Sequence, residues 1–104
     1  MTTLSTHVLD TANGEPAAGL RVHLSRAAEE GWVMVAEHET DGGGRVADFG
    51  DLAGGRYRLG FETGEYGNPM FPFVHVVFDV EAGRPHYHVP LLLSPFGYTT
   101  YRGS

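Results

Sequence analysis

The 104-residue chain contains no cysteine, and its seven basic residues are all arginine, so lysine is missing too. Without cysteine there are no disulfide staples, thiolate nucleophiles or cysteine-held zinc. Without lysine there is neither a Schiff-base amine nor a phosphate-loop lysine. Positive charge is scarce: 7 basic against 13 acidic residues leave a formal net charge of -6. That balance works against a nucleic-acid backbone or an anionic membrane surface as partner. No run approaches the roughly 18 consecutive apolar residues of a membrane-spanning helix. The opening Met1-Thr2-Thr3-Leu4-Ser5-Thr6-His7 lacks a basic stretch leading into an apolar one, and the cytoplasm is the expected compartment.

What is present is ordinary globular material, 41% hydrophobic and 19% charged. The length suits one domain over residues 1–104, since single cores usually run to about 100–200 residues. A domain this small without staples must rely on packing or on association with copies of itself. The 15 glycines and 6 prolines recur along the chain and chop it into short runs, the pattern of an all-β sandwich or barrel. Leu20, Val22 and Leu24 alternate with Arg21, His23 and Ser25, as do Tyr57, Leu59 and Phe61 with Arg56, Arg58 and Gly60. This period of two predicts strands with one wet face. Strands are also expected over Leu4 to Leu9, Trp32 to Thr40, Arg45 to Phe49, Val74 to Val80, His86 to Leu93 and Gly97 to Arg102. Asp10 to Pro16 reads as a turn centred on Asn13-Gly14. About eight strands in two antiparallel sheets packed face to face follow.

Strand periodicity sorts the candidate chemical groups. His86 and His88 share one face with Pro90, while Tyr87, Val89 and Leu91 point into the core. In the first strand His7 shares a face with Ser5 and Leu9. Two solvated histidines are the plain alternative, and His-x-His alone is weak evidence for a metal site. Arg45 follows three glycines, which leave the backbone free to bend and the guanidinium free to project. A planar, always-charged fork suits a carbonyl of a flat heterocycle or a carboxylate. The end of the chain keeps strand character through Tyr98-Thr99-Thr100-Tyr101, so it is expected to dock and to fix Tyr101, Arg102 and the terminal carboxylate at one place.

Four stretches together carry a resemblance: Leu4-Ser5-Thr6-His7-Val8-Leu9-Asp10; Gly14-Glu15-Pro16-Ala17; His86 through Pro95; and the closing Tyr101-Arg102-Gly103-Ser104. The sequence resembles the 5-hydroxyisourate hydrolase family, the transthyretin-related enzymes of urate catabolism. The resemblance implies a transthyretin-like sandwich of two four-stranded sheets, assembled as a homotetramer with active sites in a channel between dimers. It also implies that His7, Arg45 and His88 form the catalytic set, with Tyr101, Arg102, Gly103 and Ser104 closing the substrate site and His86 at its edge. Relatives carry a short helix between the strands ending near Phe61 and starting near Phe73. Here the connector is compact and holds Gly64, Gly67, Pro69 and Pro72, so the helix is expected to be short or missing.

The implied reaction is hydrolytic opening of the lactam ring of 5-hydroxyisourate to 2-oxo-4-hydroxy-4-carboxy-5-ureidoimidazoline, the substrate of a separate decarboxylase. No cofactor and no metal is needed if a neutral imidazole deprotonates the water and a cation stabilises the oxyanion. His88 is expected as the base, Arg45 as the group polarising the carbonyl, and His7 as the residue that orients substrate or relays a proton. The alternative is a non-catalytic transthyretin-like carrier of small ligands, which wants a roomy, mostly apolar channel. A structural β-sandwich module would depend neither on the histidines nor on an ordered tail.

Overall fold

A computed structural model of the chain describes residues 2–104. Its elements run in chain order as β1 (Thr3–Asp10), β2 (Glu15–Pro16), β3 (Arg21–Ala27), β4 (Trp32–Glu39), β5 (Arg45–Val46), β6 (Gly55–Phe61), α1 (Thr63–Tyr66), β7 (Val74–Val80), β8 (His86–His88), β9 (Leu91–Ser94) and β10 (Gly97–Thr100). One sheet is antiparallel with the order β4-β3-β6-β7. The other is built around β1. Strands β8 and β9 pair with β1 in parallel, and β2 and β5 pair with it antiparallel. At Val8 the N–H donates to Gly44 O (2.7 Å) and the C=O accepts from Ala17 N–H (2.9 Å). Both groups of one strand residue face one edge, so β5 and β2 share that edge. The six segments therefore fill four lanes, with β10 outermost beside β9.

The two sheets meet through the apolar halves of their strands. In β1, buried Leu4, Thr6, Val8 and Asp10 alternate with half-buried Thr3, Ser5, His7 and Leu9. Leu4, Val8, Leu24, Leu59, Phe61 and Leu91 are all 0% exposed, each contributing about 1.5–3 kcal/mol of burial. Thr6 is buried among them and stays satisfied by donating its hydroxyl to Val89 O at 2.6 Å.

Several expectations about local structure are corrected. The turn expected over Asp10 to Pro16 closes so tightly that Glu15 and Pro16 come back onto Asp10 and Leu9 as a strand, with Gly14 at φ 68°. The strand expected from His86 to Leu93 breaks into β8 and β9, because Pro90 has no N–H to give a ladder. The strand expected over Arg45 to Phe49 ends at Val46, and the last strand ends at Thr100 rather than Arg102. The helix between β6 and β7 is a single turn. Thr63 Oγ1 donates to Phe71 O (2.6 Å), and Tyr66 Oη donates to Asp10 Oδ2 (2.9 Å), tying that turn to β1. No helix among the described residues is long and apolar enough to cross a membrane.

One glycine of the Gly42-Gly43-Gly44 turn is obligatory. Gly44 sits at φ 75°, and a Cβ there would lie 2.5 Å from Val8 O, whereas one at Gly42 would meet nothing within 4 Å. Gly44→Ala is expected to lower stability by more than about 1 kcal/mol and to loosen β5 from β1, while Gly42→Ala stays within about 0.5 kcal/mol. Urea unfolding of the two variants measures the difference.

Candidate active site

Register on β1 assembles the site. The Cα atoms of Ser5 and His88, of Thr3 and His86, and of His7 and Arg45 are direct partners across β1, β8 and β5. All six residues lie on the sheet face turned away from the core, because the strand period of two fixes the face as soon as the register is fixed. Ser5, Arg45, His86 and His88, but not Thr3 or His7, there border a pocket of about 290 Å³ whose lining is completed by Thr6, Val46, Ala47 and Ser104.

Arg45 is held by its turn. The Asp41 carboxylate accepts from the N–H groups of Gly43 (2.9 Å) and Arg45 (3.0 Å), and Asp41 N–H donates to Arg45 O (2.9 Å). Those two backbone donors hold the Asp41 carboxyl below its ordinary range, and the nearby charges of Arg45 and His7 add to the effect. Among the described residues the ion pairs engage Arg21 with Glu37 and Glu65, and Arg56 with Asp79, but none engages Arg45. Its guanidinium is thus available on the pocket wall.

His88 is half-buried, and its ring is fixed at both sides. Nδ1 lies 2.8 Å from Ser5 Oγ. On the other side the tail docks: Gly103 N–H donates to His88 O at 2.7 Å, and a Cβ on Gly103 would fall 2.6 Å from His88 Cδ2. Burial, then the charges of Arg45, His7 and His86, push the His88 imidazole below its ordinary value of 6.5. Near neutral pH it is therefore an unprotonated, basic ring.

The other expected residues divide. His7 stands opposite Arg45 in the strand register, near enough for its charge to act on both His88 and Asp41. Gly103 and Ser104 reach the polar pocket. Tyr101 and Arg102 instead line a separate groove of about 270 Å³ with Val76, Phe78 and Tyr87, between the edges of the two sheets. The chain leaves the strand after Thr100, and Gly103 must return to His88, which turns the two intervening side chains toward β7. His86 is exposed with both ring nitrogens engaged, Nδ1 with Thr3 Oγ1 (2.6 Å) and Nε2 with Ser5 Oγ (2.9 Å). Sequence reasoning passed over Thr3 and Ser5. Their signal was their place on the His7 face of β1, but only the register with β8 brings them to the histidines. Among the described residues no group of three or more His, Asp or Glu side chains is placed to hold a metal ion.

These features define a two-sheet β-sandwich with an ionisable pocket on the outer face of one sheet. A sequence model of the HIUase/Transthyretin family matches residues 4–103. A 5-hydroxyisourate hydrolase of Caulobacter vibrioides is 47% identical over 115 residues, covering 100% of both chains. The solved structure of Klebsiella pneumoniae 5-hydroxyisourate hydrolase superposes with a TM-score of 0.88 at 40% identity over 100% of both chains. Sea bream transthyretin, solved in complex with thyroxine, superposes at 0.89 with 34% identity over 96% of this chain and 93% of its own. The chain belongs to the HIUase/Transthyretin family.

The lowered position of His88 carries a sign for stability. His75 is lowered as well, by burial and by the charges of Arg58 and His23. Both rings bind protons more readily in the unfolded chain than in the folded one, so stability is complete above 6.5 and is lost as pH falls through 6.5 toward the lowered folded values. Urea midpoints are expected to drop between pH 7.5 and 5.5, and His88→Asn should flatten part of that slope.

Proposed function

We propose that the protein is a 5-hydroxyisourate hydrolase, opening the lactam ring of 5-hydroxyisourate with water to give 2-oxo-4-hydroxy-4-carboxy-5-ureidoimidazoline. The observation that carries this reading is the pairing, on one pocket wall, of an imidazole held neutral with an arginine that forms no ion pair among the described residues. The 47% identity to the Caulobacter vibrioides hydrolase along the whole chain supports it.

The chemistry follows from these positions. His88 takes a proton from water as the water oxygen adds to the lactam carbonyl carbon. The guanidinium of Arg45, carried on a backbone fixed by the Asp41 turn, donates to the carbonyl oxygen as it gains negative charge. Collapse of the tetrahedral adduct breaks the C–N bond, and the imidazolium returns its proton to the departing nitrogen. His7, beside Arg45, orients the substrate or relays a proton. Gly103 and Ser104 close the pocket, and Tyr101 and Arg102 anchor the tail in the neighbouring groove.

The same reading makes the protein a homotetramer, a dimer of dimers whose channel contains the pockets. The outer face of the β1 sheet supports it, because half-buried Leu9 and Leu92 continue that face beside the polar residues, and apolar groups there gain from being covered by another copy. The cytoplasm is the compartment we assign to it. A carrier of the transthyretin kind fits less well: Ser5, Thr6, Arg45, His86 and His88 crowd the pocket with polar atoms, where an apolar aromatic ligand wants apolar walls.

Freshly generated 5-hydroxyisourate, followed by its absorbance with the unaided decay subtracted, tests the reading. The wild-type chain should accelerate the decay well above background. His88→Asn should cost about 10²–10⁴-fold in kcat and Arg45→Ala about 10²–10³-fold, with thermal stability nearly unchanged for both. A wild-type chain that adds nothing to the background rate overturns the assignment.

A further inference from the structure

A chain of four polar side chains runs along the outer face of β1 and β8, from Thr3 Oγ1 through His86 and Ser5 Oγ to His88 Nδ1, at 2.6, 2.9 and 2.8 Å in turn. The Ser5 hydroxyl lies between two ring nitrogens and has a single proton and two lone pairs, so it donates to at most one of the rings. With that proton kept within the chain, two orders of protons satisfy every contact with both rings neutral. In the first, His88 carries its proton on Nδ1 and donates it to Ser5, Ser5 donates to His86 Nε2, and His86 Nδ1–H donates to Thr3. In the second every bond is reversed, and the His88 proton sits on Nε2. With Ser5 accepting from both rings, His88 again carries its proton on Nδ1.

We infer that Ser5, backed by His86 and Thr3, is a positioning residue that holds His88 as its Nδ1–H tautomer and so presents a bare Nε2 lone pair to the pocket. Two features select this order. Thr3 Oγ1 lies 3.4 Å from Pro85 O, an outlet for the threonine proton that exists only when Thr3 accepts from His86. The pocket also already contains the Arg45 guanidinium, which has five donors and no acceptor. A lone pair on Nε2 is stabilised by that neighbouring cation, whereas an N–H pointed the same way is opposed by it. The charged and titratable groups facing the His88 ring are Arg45 from β5, His7 from β1, His86 from its own strand and the terminal carboxylate of Ser104, and the permanent charge of Arg45 favours the lone pair over an N–H dipole.

The inference rests on the hydrolase reading only for its catalytic consequence. In that reading a base needs its lone pair toward the water; the opposite tautomer would aim an N–H there and disable it. His86, with both nitrogens committed to Ser5 and Thr3, acts through this chain rather than by gripping substrate.

Long-range ¹⁵N–¹H correlation of the imidazoles at pH 7.5 reads the tautomer directly and does not depend on activity. His88 is expected as Nδ1–H in the wild type, moving toward Nε2–H in Ser5→Ala and returning in Ser5→Thr, which keeps a hydroxyl. In the hydrolase assay Ser5→Ala should lose about 10- to 100-fold in kcat with KM within about twofold, and Ser5→Thr should recover most of the loss. An Nε2–H wild-type His88, a tautomer indifferent to Ser5→Ala, or an unchanged kcat in that variant overturns the inference. If the wild-type chain fails to open 5-hydroxyisourate, the proposed activity falls while the spectrum still decides the tautomer; if Ser5→Ala fails to fold, the wild-type spectrum decides it alone.

Discussion

Everything at the pocket hangs on the register of β1. That strand is bonded along both edges by segments that bring the pocket's ionisable residues, β8 on one side and β5 on the other. Ser5 faces His88 and His7 faces Arg45 because Leu4 and Val8, which flank them on either side, are locked into the core with 0% exposure. A slip by one residue would send Leu4, Thr6 and Val8 outward and carry Ser5 and His7 into the apolar interior. The core thus fixes the chemistry without touching it: burying one half of the strand positions the other half.

Charge at the pocket is arranged by what is left unpaired. Arg21 and Arg56 meet carboxylates on exposed surface, where solvent screening leaves such pairs little weight in stability. Arg45 meets none among the described residues, and the acid of its own turn, Asp41, is occupied by backbone N–H groups. The cation therefore keeps its field for the pocket. The same field, added to burial, keeps His88 unprotonated, so one arrangement supplies a donor for an anion and a neutral base at once. In that respect the pocket differs from what an apolar ligand would select.

Strand faces were legible in the sequence because alternation is local. The split between Tyr87, Val89 and Leu91 inside and His86 and His88 outside needs only consecutive residues, and the burial pattern follows it. The turn before Arg45 was legible for the same reason. Pairing between Ser5 and His88, 83 positions apart, depends on which strands become neighbours and in what register, and no local pattern encodes that. Thr3 and Ser5 consequently looked like ordinary wet-face residues. The end of the last strand is hidden in the sequence for a related reason: Gly97 to Arg102 alternates well enough to be one strand, but β9 offers partners only as far as Leu91, opposite Thr100.

That shortened strand gives the tail its role. Beyond Thr100 the backbone has no ladder left, and its next hydrogen bond is from Gly103 N–H to His88 O. The approach is so close that a β-carbon would strike the imidazole, which leaves glycine as the residue that fits without displacing the ring. Docked there, the tail takes water away from His88, and loss of water is the largest of the influences lowering its affinity for a proton. Release of the tail would rehydrate the ring and raise that affinity toward the value of a free imidazole. The basicity of His88 and the docking of the tail are therefore coupled: the contact that seats Gly103 against the ring also adds to the burial that lowers its affinity for a proton.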